Sequence, residues 1–413
     1  MFESLFCHPV VIRRHVEGPW GRERAAYLER LASLGYRRSS LLRRAAYVFC
    51  VARELAKWPP EYRLTQGEVD AMASAWACER PRAKSPTLPR RYFRLEAMEF
   101  LRFLDRLIPE PPAPAGRYDR ELEEFLTAQR QDRGLSAETC RGLQWQVKQF
   151  LAYVEGQGIA LADLRPTHVD GFFLFVSQRW SRRTLHKVAG DLRTWFRYAE
   201  AKGWVRHGLA ESVEAPRVYR EEGLPLGPTW EQVQRLLADV EGDRPKDIRD
   251  RAILLLLLVY GFRSDEVRRL SLDDIDWEQD LIRLRRAKSF RLETFPIEPT
   301  VGNALVRYLR EARPKSENRV VFLTVRAPFR PLSSGGLYNA VRERVDRLGV
   351  LEKGRGPHGL RHACARHLVE SGLSLKGVGD HLGHRSASST RIYAKVDMAS
   401  LRRVAFEDLG GLR

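Results

Sequence analysis

Pro357-His358-Gly359-Leu360-Arg361 sets a histidine and an arginine three residues apart, behind a proline that suits the first position of a helix. In a helix opening at Pro357 the two side chains share a face and can grip one anion. On its own an H-x-x-R pair describes an ordinary helix surface equally well, so its meaning depends on its surroundings. Upstream stands Tyr260-Gly-Phe-Arg263-Ser-Asp-Glu266, where Gly261 can end a helix in the left-handed conformation and Ser264 can cap the next, with Asp265 and Glu266 in its first turn. Arg263 is thereby expected in a tight elbow. Downstream follow His381-Leu-Gly-His384 and Arg391-Ile-Tyr393.

Working outward, Thr229-Trp-Glu-Gln232 forms a capping box ahead of Val233, Leu236, Leu237 and Val240, so a helix starts there. A second helix is expected from about Ile248 to Tyr260. It contains the longest apolar run, Ala252 to Tyr260, which falls short of the roughly 20 residues needed to cross a bilayer and therefore predicts a buried helix. Ile282 to Leu284 and Leu292 to Ile297 have the composition of two hairpin strands, with Ala287-Lys-Ser-Phe290 near the tip. Helices are expected to resume from about Leu337.

Two stretches interrupt the helical patterning: Pro109 to Gly116, with four prolines, and Gly208 to Pro228, which mixes proline, glycine and charge. They divide the chain into an N-terminal helical region over 1–110, a helical segment over 117–207 and a third domain over 225–413. In the middle segment Leu143, Val147, Phe150, Leu151 and Val154 recur at helical spacing, as do Leu185, Val188, Leu192, Trp195, Phe196 and Ala199. Its polar faces carry Arg141, Lys148, Arg179, Arg182, Arg183, Lys187, Arg193 and Arg197, which suit a phosphate backbone or a solvated helix face. The N-terminal region repeats helical patterns, as in Ala45, Val48, Phe49, Val51, Ala52 and Leu55, beside Arg37, Arg38, Arg43 and Arg44. It carries no motif that selects a role. Binding accessory DNA, meeting a partner and bracing the middle domain stay open.

Lysine and arginine total 71 against 53 acidic residues, a formal net charge of +18 over 413 residues. That balance calls for a polyanionic partner, although charge alone suits a ribosomal or membrane-surface protein as well as a DNA-binding one. Five scattered cysteines without a C-x-x-C pair fit a reducing compartment, and the N-terminus lacks the apolar core of a signal peptide, so a cytoplasmic protein is expected. His362, Cys364 and His367 match no zinc spacing.

Breaking a phosphodiester without water requires a nucleophile, positive charge around the phosphorane and a proton donor for the departing oxygen. Arginines, histidines, a lysine and a tyrosine supply these. In the order arginine, lysine, H-x-x-R, histidine, tyrosine, the third domain resembles the catalytic domain of the tyrosine recombinase, or phage integrase, family. The middle segment is similar to that family's helical core-binding domain. The resemblance implies a mainly α fold with a small antiparallel β-sheet in the C-terminal domain: a helical core-binding domain followed by an α+β catalytic domain.

Residue by residue, the resemblance implies that Arg263 and Arg361 clamp the non-bridging oxygens of the scissile phosphate, a task suited to guanidinium geometry. Lys288 would protonate the leaving 5′-oxygen, although the family's usual glycines are absent from this turn and Arg291 offers a rival cation. His358 and His384 match the two imidazole positions, His381 and His362 positions of packing, and Glu266 an acidic position that orients a catalytic side chain. Tyr393 would be the nucleophile, forming a 3′-phosphotyrosyl link. No cofactor or metal is implied. The expected partners are double-stranded DNA and a homo- or hetero-tetramer of recombinases, with accessory factors unspecified and no membrane. The implied activity is site-specific recombination of a mobile element. Chromosome-dimer resolution, type IB topoisomerase action and a catalytically silent DNA-binding relative are the alternatives.

Overall fold

The protein is described by a computed structural model over residues 1–79, 87–110, 116–218, 227–286, 292–349, 354–383 and 390. The chain divides into two compact units, Met1–Pro109 together with Gly223–Arg413, and Glu110–Glu222. Hydrophobic cores lie within each of the three sequence segments.

The N-terminal segment is helical: α1 (Phe2–Leu5), α2 (Pro9–Glu17), α3 (Gly21–Ser33), α4 (Arg38–Leu55), α5 (Gln66–Cys78) and α6 (Thr87–Phe103). The apolar stripe of α4 does what its spacing predicts, since Val48, Val51, Ala52 and Leu55 have no exposed surface. Helix α5 starts at a reciprocal cap: Glu68 N–H donates to Thr65 Oγ1 at 3.2 Å, while Thr65 N–H donates to Glu68 Oε2 at 2.7 Å. Arg24 is fully buried and donates to the His15 carbonyl at 2.6 Å and to His15 Nδ1 at 3.1 Å. A guanidinium only donates, so Nδ1 accepts and the imidazole is neutral.

The middle unit comprises α7 (Asp119–Gln131), α8 (Ala137–Gly156), α9 (Pro166–Ser177), α10 (Arg182–Ala201) and the single turn α11 (Leu209–Ser212). Trp195, Phe150, Phe172 and Phe196 form an aromatic centre with edge-to-face contacts. Each such side chain contributes about 1.5–3 kcal/mol by burial. The linker expected over Gly208 to Pro228 is partly core: Leu209, Ala210 and Val213 are buried, and Arg193 donates twice to the Val213 carbonyl, at 3.0 and 2.7 Å. Three apolar residues inside a polar stretch close the end of α10, which composition alone conceals.

The third segment holds α12 (Trp230–Ala238), α13 (Pro245–Val259), α14 (Ser264–Arg269), β1 (Ile275–Asp276), β2 (Leu281–Arg285), β3 (Leu292–Pro296), α15 (Pro299–Arg307), α16 (Ser334–Arg347), α17 (Pro357–Glu370) and α18 (Leu375–Leu382). The Thr229–Gln232 capping box is present. Helix α13 is the core of this segment, buried around its circumference from Ala252 to Leu258. It begins at Pro245 rather than Ile248, because proline's fixed φ favours the first helical position. Helix α16 likewise begins before Leu337, at Ser334, with Ser333 Oγ accepting from Gly336 N–H at 3.0 Å. The sheet is antiparallel in the order β1-β2-β3, with Ile275 opposite Ile282 and Ile282 opposite Phe295. Only the β2–β3 hairpin was legible in advance; β1 is two residues long, too short for a periodicity to show.

Candidate active site

The elbow between α13 and α14 is built from Gly261 and Arg263. Gly261 has φ +59°, and a Cβ there would stand 2.4 Å from Leu382 Cδ2, so glycine meets both a left-handed turn and a close approach of α18. Arg263, not Ser264, is the residue that caps α14. Its N–H is taken by Glu266 Oε2 at 2.8 Å, a charge-assisted bond that fixes the start of the helix one residue earlier than the serine. Glu266 Oε1 also accepts from Arg263 Nη1 at 2.9 Å. The salt bridge and the elbow are therefore one construction, in which a wholly buried carboxylate holds a guanidinium left 24% exposed.

Helix α17 begins at Pro357, as its sequence predicts. Arg361 faces inward at 3% exposure, whereas His358, one turn earlier, is exposed and its ring stands edge-on to that of His362 at 4.3 Å. Arg361 Nη1 donates to the Gly261 carbonyl, and Nη2 donates to that of Leu382 at 2.7 Å.

Three guanidiniums meet at the end of α18. Arg286 Nη2 donates to the His381 carbonyl at 3.1 Å, Arg361 to Leu382 and Arg263 Nη2 to Gly383 at 3.2 Å. The last carbonyls of a helix have no partner within it and carry the negative end of its dipole, so three cations on consecutive carbonyls satisfy both. Gly383, at φ +62°, ends the helix, and His384 follows it in the chain. His381 points away from this cluster: its Nε2 lies 3.1 Å from the Val259 carbonyl and must donate to it. Burial, with Arg286 and Arg361 nearby, lowers the His381 pKa despite that bond. Cys364, also against Val259, is pushed up to about 12 by burial and stays a thiol.

Arg286 was not among the residues singled out in the sequence. Its signal was present: Ile282 and Leu284 are buried while Arg283 and Arg285 are exposed, and the same alternation carries inward to Arg286, 1% exposed. Besides His381, it binds Glu293 Oε2 at 2.6 Å and Glu266 Oε2 at 3.3 Å.

Of the six expected catalytic residues, Arg263 and Arg361 are brought to adjacent carbonyls, and His358 stands one helical turn from Arg361. Lys288, His384 and Tyr393 lie outside the described residues. Several basic residues of the middle unit are engaged locally: Lys187 with Asp191 at 2.8 Å, Arg141 with Glu138, Lys148 with Asp119 at 3.9 Å, and Arg179 over the Phe175 ring at 5.0 Å. Arg182, Arg183 and Arg197 are exposed. Among the described residues no cluster of histidine, cysteine and carboxylate side chains has metal-binding geometry, and no helix is long and apolar enough to cross a membrane.

Residues 229–400 match the model of the phage integrase family. The chain is 30% identical over its whole length to the integrase/recombinase y4rF of Sinorhizobium fredii, covering 96% of that protein. It is also 30% identical to tyrosine recombinase XerD of Listeria monocytogenes, over 68% of this chain and 96% of that one. In fold it resembles XerH site-specific recombinase bound to difH substrate, with a TM-score of 0.54 at 17% identity, covering 82% of this chain and 94% of that one. The chain belongs to the phage integrase family, the tyrosine recombinases. It is a site-specific recombinase.

Proposed function

We propose that the chain cuts and rejoins double-stranded DNA at the ends of a mobile element, with Tyr393 as nucleophile. The observation that carries this reading is the meeting of Arg263 and Arg361 on consecutive carbonyls of α18, with Arg263 partly exposed and His384 next in the chain. Two guanidiniums held side by side suit the two non-bridging oxygens of one phosphate, and bonds to fixed carbonyls orient them before substrate arrives.

In the reaction the Tyr393 oxygen attacks phosphorus, and the 5′-oxygen departs with a proton from Lys288. Of His358 and His384, one takes the phenolic proton while the other contacts the phosphate. A 3′-phosphotyrosyl link and a free 5′-hydroxyl result, and attack by a 5′-hydroxyl from a second duplex reverses the step with no net loss of bond energy. Exchange between two duplexes requires four cleavages, hence a tetramer of this chain alone or with related recombinases. The middle unit serves as the core DNA-binding domain, its exposed Arg182, Arg183 and Arg197 along the backbone. Five scattered cysteines without a C-x-x-C pair support the cytoplasm as the compartment of the reaction.

The test is covalent capture. Short duplexes selected from a random-sequence library by retention on the full chain are resynthesised with a nick beside the cleavage position, so that the freed fragment escapes. Denaturing gels are expected to show a protein–DNA adduct with the wild type and none with Tyr393→Phe. No wild-type adduct on selected duplexes, or equal adduct from Tyr393→Phe, overturns the reading. So does efficient relaxation of plasmids lacking the selected sequence, the behaviour of a topoisomerase.

A further inference from the structure

We propose that Arg286 is a positioning residue for strand cleavage, acting through Glu266 on Arg263. The inference rests on the reading of Arg263 as a phosphate clamp.

Arg286 is 1% exposed and its guanidinium is taken up by Glu293, Glu266 and the His381 carbonyl, whereas the Arg263 side chain is left 24% exposed. Arg286 lies over the Phe295 ring at 5.0 Å, and its hydrogen bonds lead to the site. It shares Glu266 with Arg263, its Nη1 lying 3.3 Å from the Oε2 that also takes the Arg263 N–H. It binds the His381 carbonyl one residue before the acceptor of Arg361 and two before that of Arg263. A Cβ added to Gly383 would lie 2.6 Å from its Nε, so the guanidinium lies against the backbone that leads into His384. Through Glu293 it also ties down β3.

A lone carboxylate beside Arg263 would hold its guanidinium as a simple ion pair, in competition with a phosphate for the same positive charge. With Arg286 on Glu266 the carboxylate's charge is divided between two guanidiniums, so Arg263 stays oriented yet keeps charge for the substrate. The division also explains how Glu266 tolerates complete burial, since a buried charge persists only when it is paired and hydrogen-bonded.

Two analogues of the selected nicked duplex separate this role from others. A methylphosphonate at the scissile position removes the single negative charge of the phosphodiester that Arg263 would neutralise. A 5′-bridging phosphorothiolate provides a leaving sulfur that needs no proton, and so relieves a defect in Lys288. Single-turnover cleavage by Arg286→Met is expected to fall roughly 100-fold on ordinary DNA, the effect of a small misplacement of a reacting group. The loss should shrink at least tenfold on the methylphosphonate, persist on the phosphorothiolate, and parallel the pattern of Arg263→Ala. Should Arg286→Met not fold, Arg286→Lys is measured on the same three substrates, with the same pattern expected at smaller amplitude. Rescue by the phosphorothiolate instead overturns the proposal in favour of an action on Lys288, and equal loss on all three substrates overturns it in favour of a general packing role. Wild-type rates from Arg286→Met with the expected Arg263→Ala pattern overturn this inference alone. An Arg263→Ala variant that cleaves like the wild type overturns the reading of Arg263 beneath it.

Discussion

Arg361 and Arg263 donate to neighbouring carbonyls at the C-terminal end of α18, Leu382 at 2.7 Å and Gly383 at 3.2 Å, although Arg361 lies on α17 and Arg263 in the elbow before α14. The end of α18 is thus a shared anchor, and whatever displaces it moves both guanidiniums together.

Gly261→Ala tests the anchor from the elbow side. A side chain at φ +59° costs about 1–2 kcal/mol, and the new methyl also collides with Leu382. A lower urea midpoint is expected, together with a loss of covalent adduct greater than the loss of DNA retention. Unchanged adduct formation would show that Leu382 can yield without moving Arg361.

Removing Glu266 leaves the buried Arg286 with its charge unmatched on that side. Glu266→Ala is expected to destabilise the domain by about 3–5 kcal/mol, as when one partner of a buried pair is lost. Arg319→Ala, at an exposed pair with Asp273 that solvent screens, should leave the urea midpoint close to that of the wild type. Chemical denaturation of both variants measures the contrast.

The pKa of His381 is lowered by burial, so the unfolded chain binds its proton more readily than the folded one. Its stabilising contribution is therefore present above the ordinary histidine pKa near 6.5 and is lost as pH falls through the lowered folded value. His15 acts in the same direction, its pKa depressed to about 4 by burial, Arg24 and Arg14. Glu96, its pKa raised to about 7 by burial, opposes both histidines as pH falls, so the test is the difference from wild type: His381→Asn is expected to lose less stability than the wild type as pH drops below 6.5, as read from urea midpoints.

Binding to selected duplexes should weaken steeply with salt, because counterions are released as phosphates are neutralised. Replacing Arg182, Arg183 and Arg197 together with alanine is expected to reduce the slope of log K against log salt by roughly three. An unchanged slope would remove the middle unit from the phosphate contacts.

Much of this protein was legible in its sequence because local rules governed it. The Thr229 capping box, the start of α17 at Pro357, the left-handed Gly261 and the buried α13 all follow from backbone conformation and hydrophobic period, which neighbours along the chain decide. The family also followed from sequence, since an ordered set of arginine, histidine and tyrosine motifs survives in one dimension. Tertiary structure decided which side chains share a partner. Nothing near Arg286 in the chain announces Glu266 or the His381 carbonyl, and nothing near Arg361 announces Leu382. Those contacts exist because α18 brings its unsatisfied carbonyls to the elbow and the end of β2, and a buried carbonyl or carboxylate must find a donor wherever the fold supplies one.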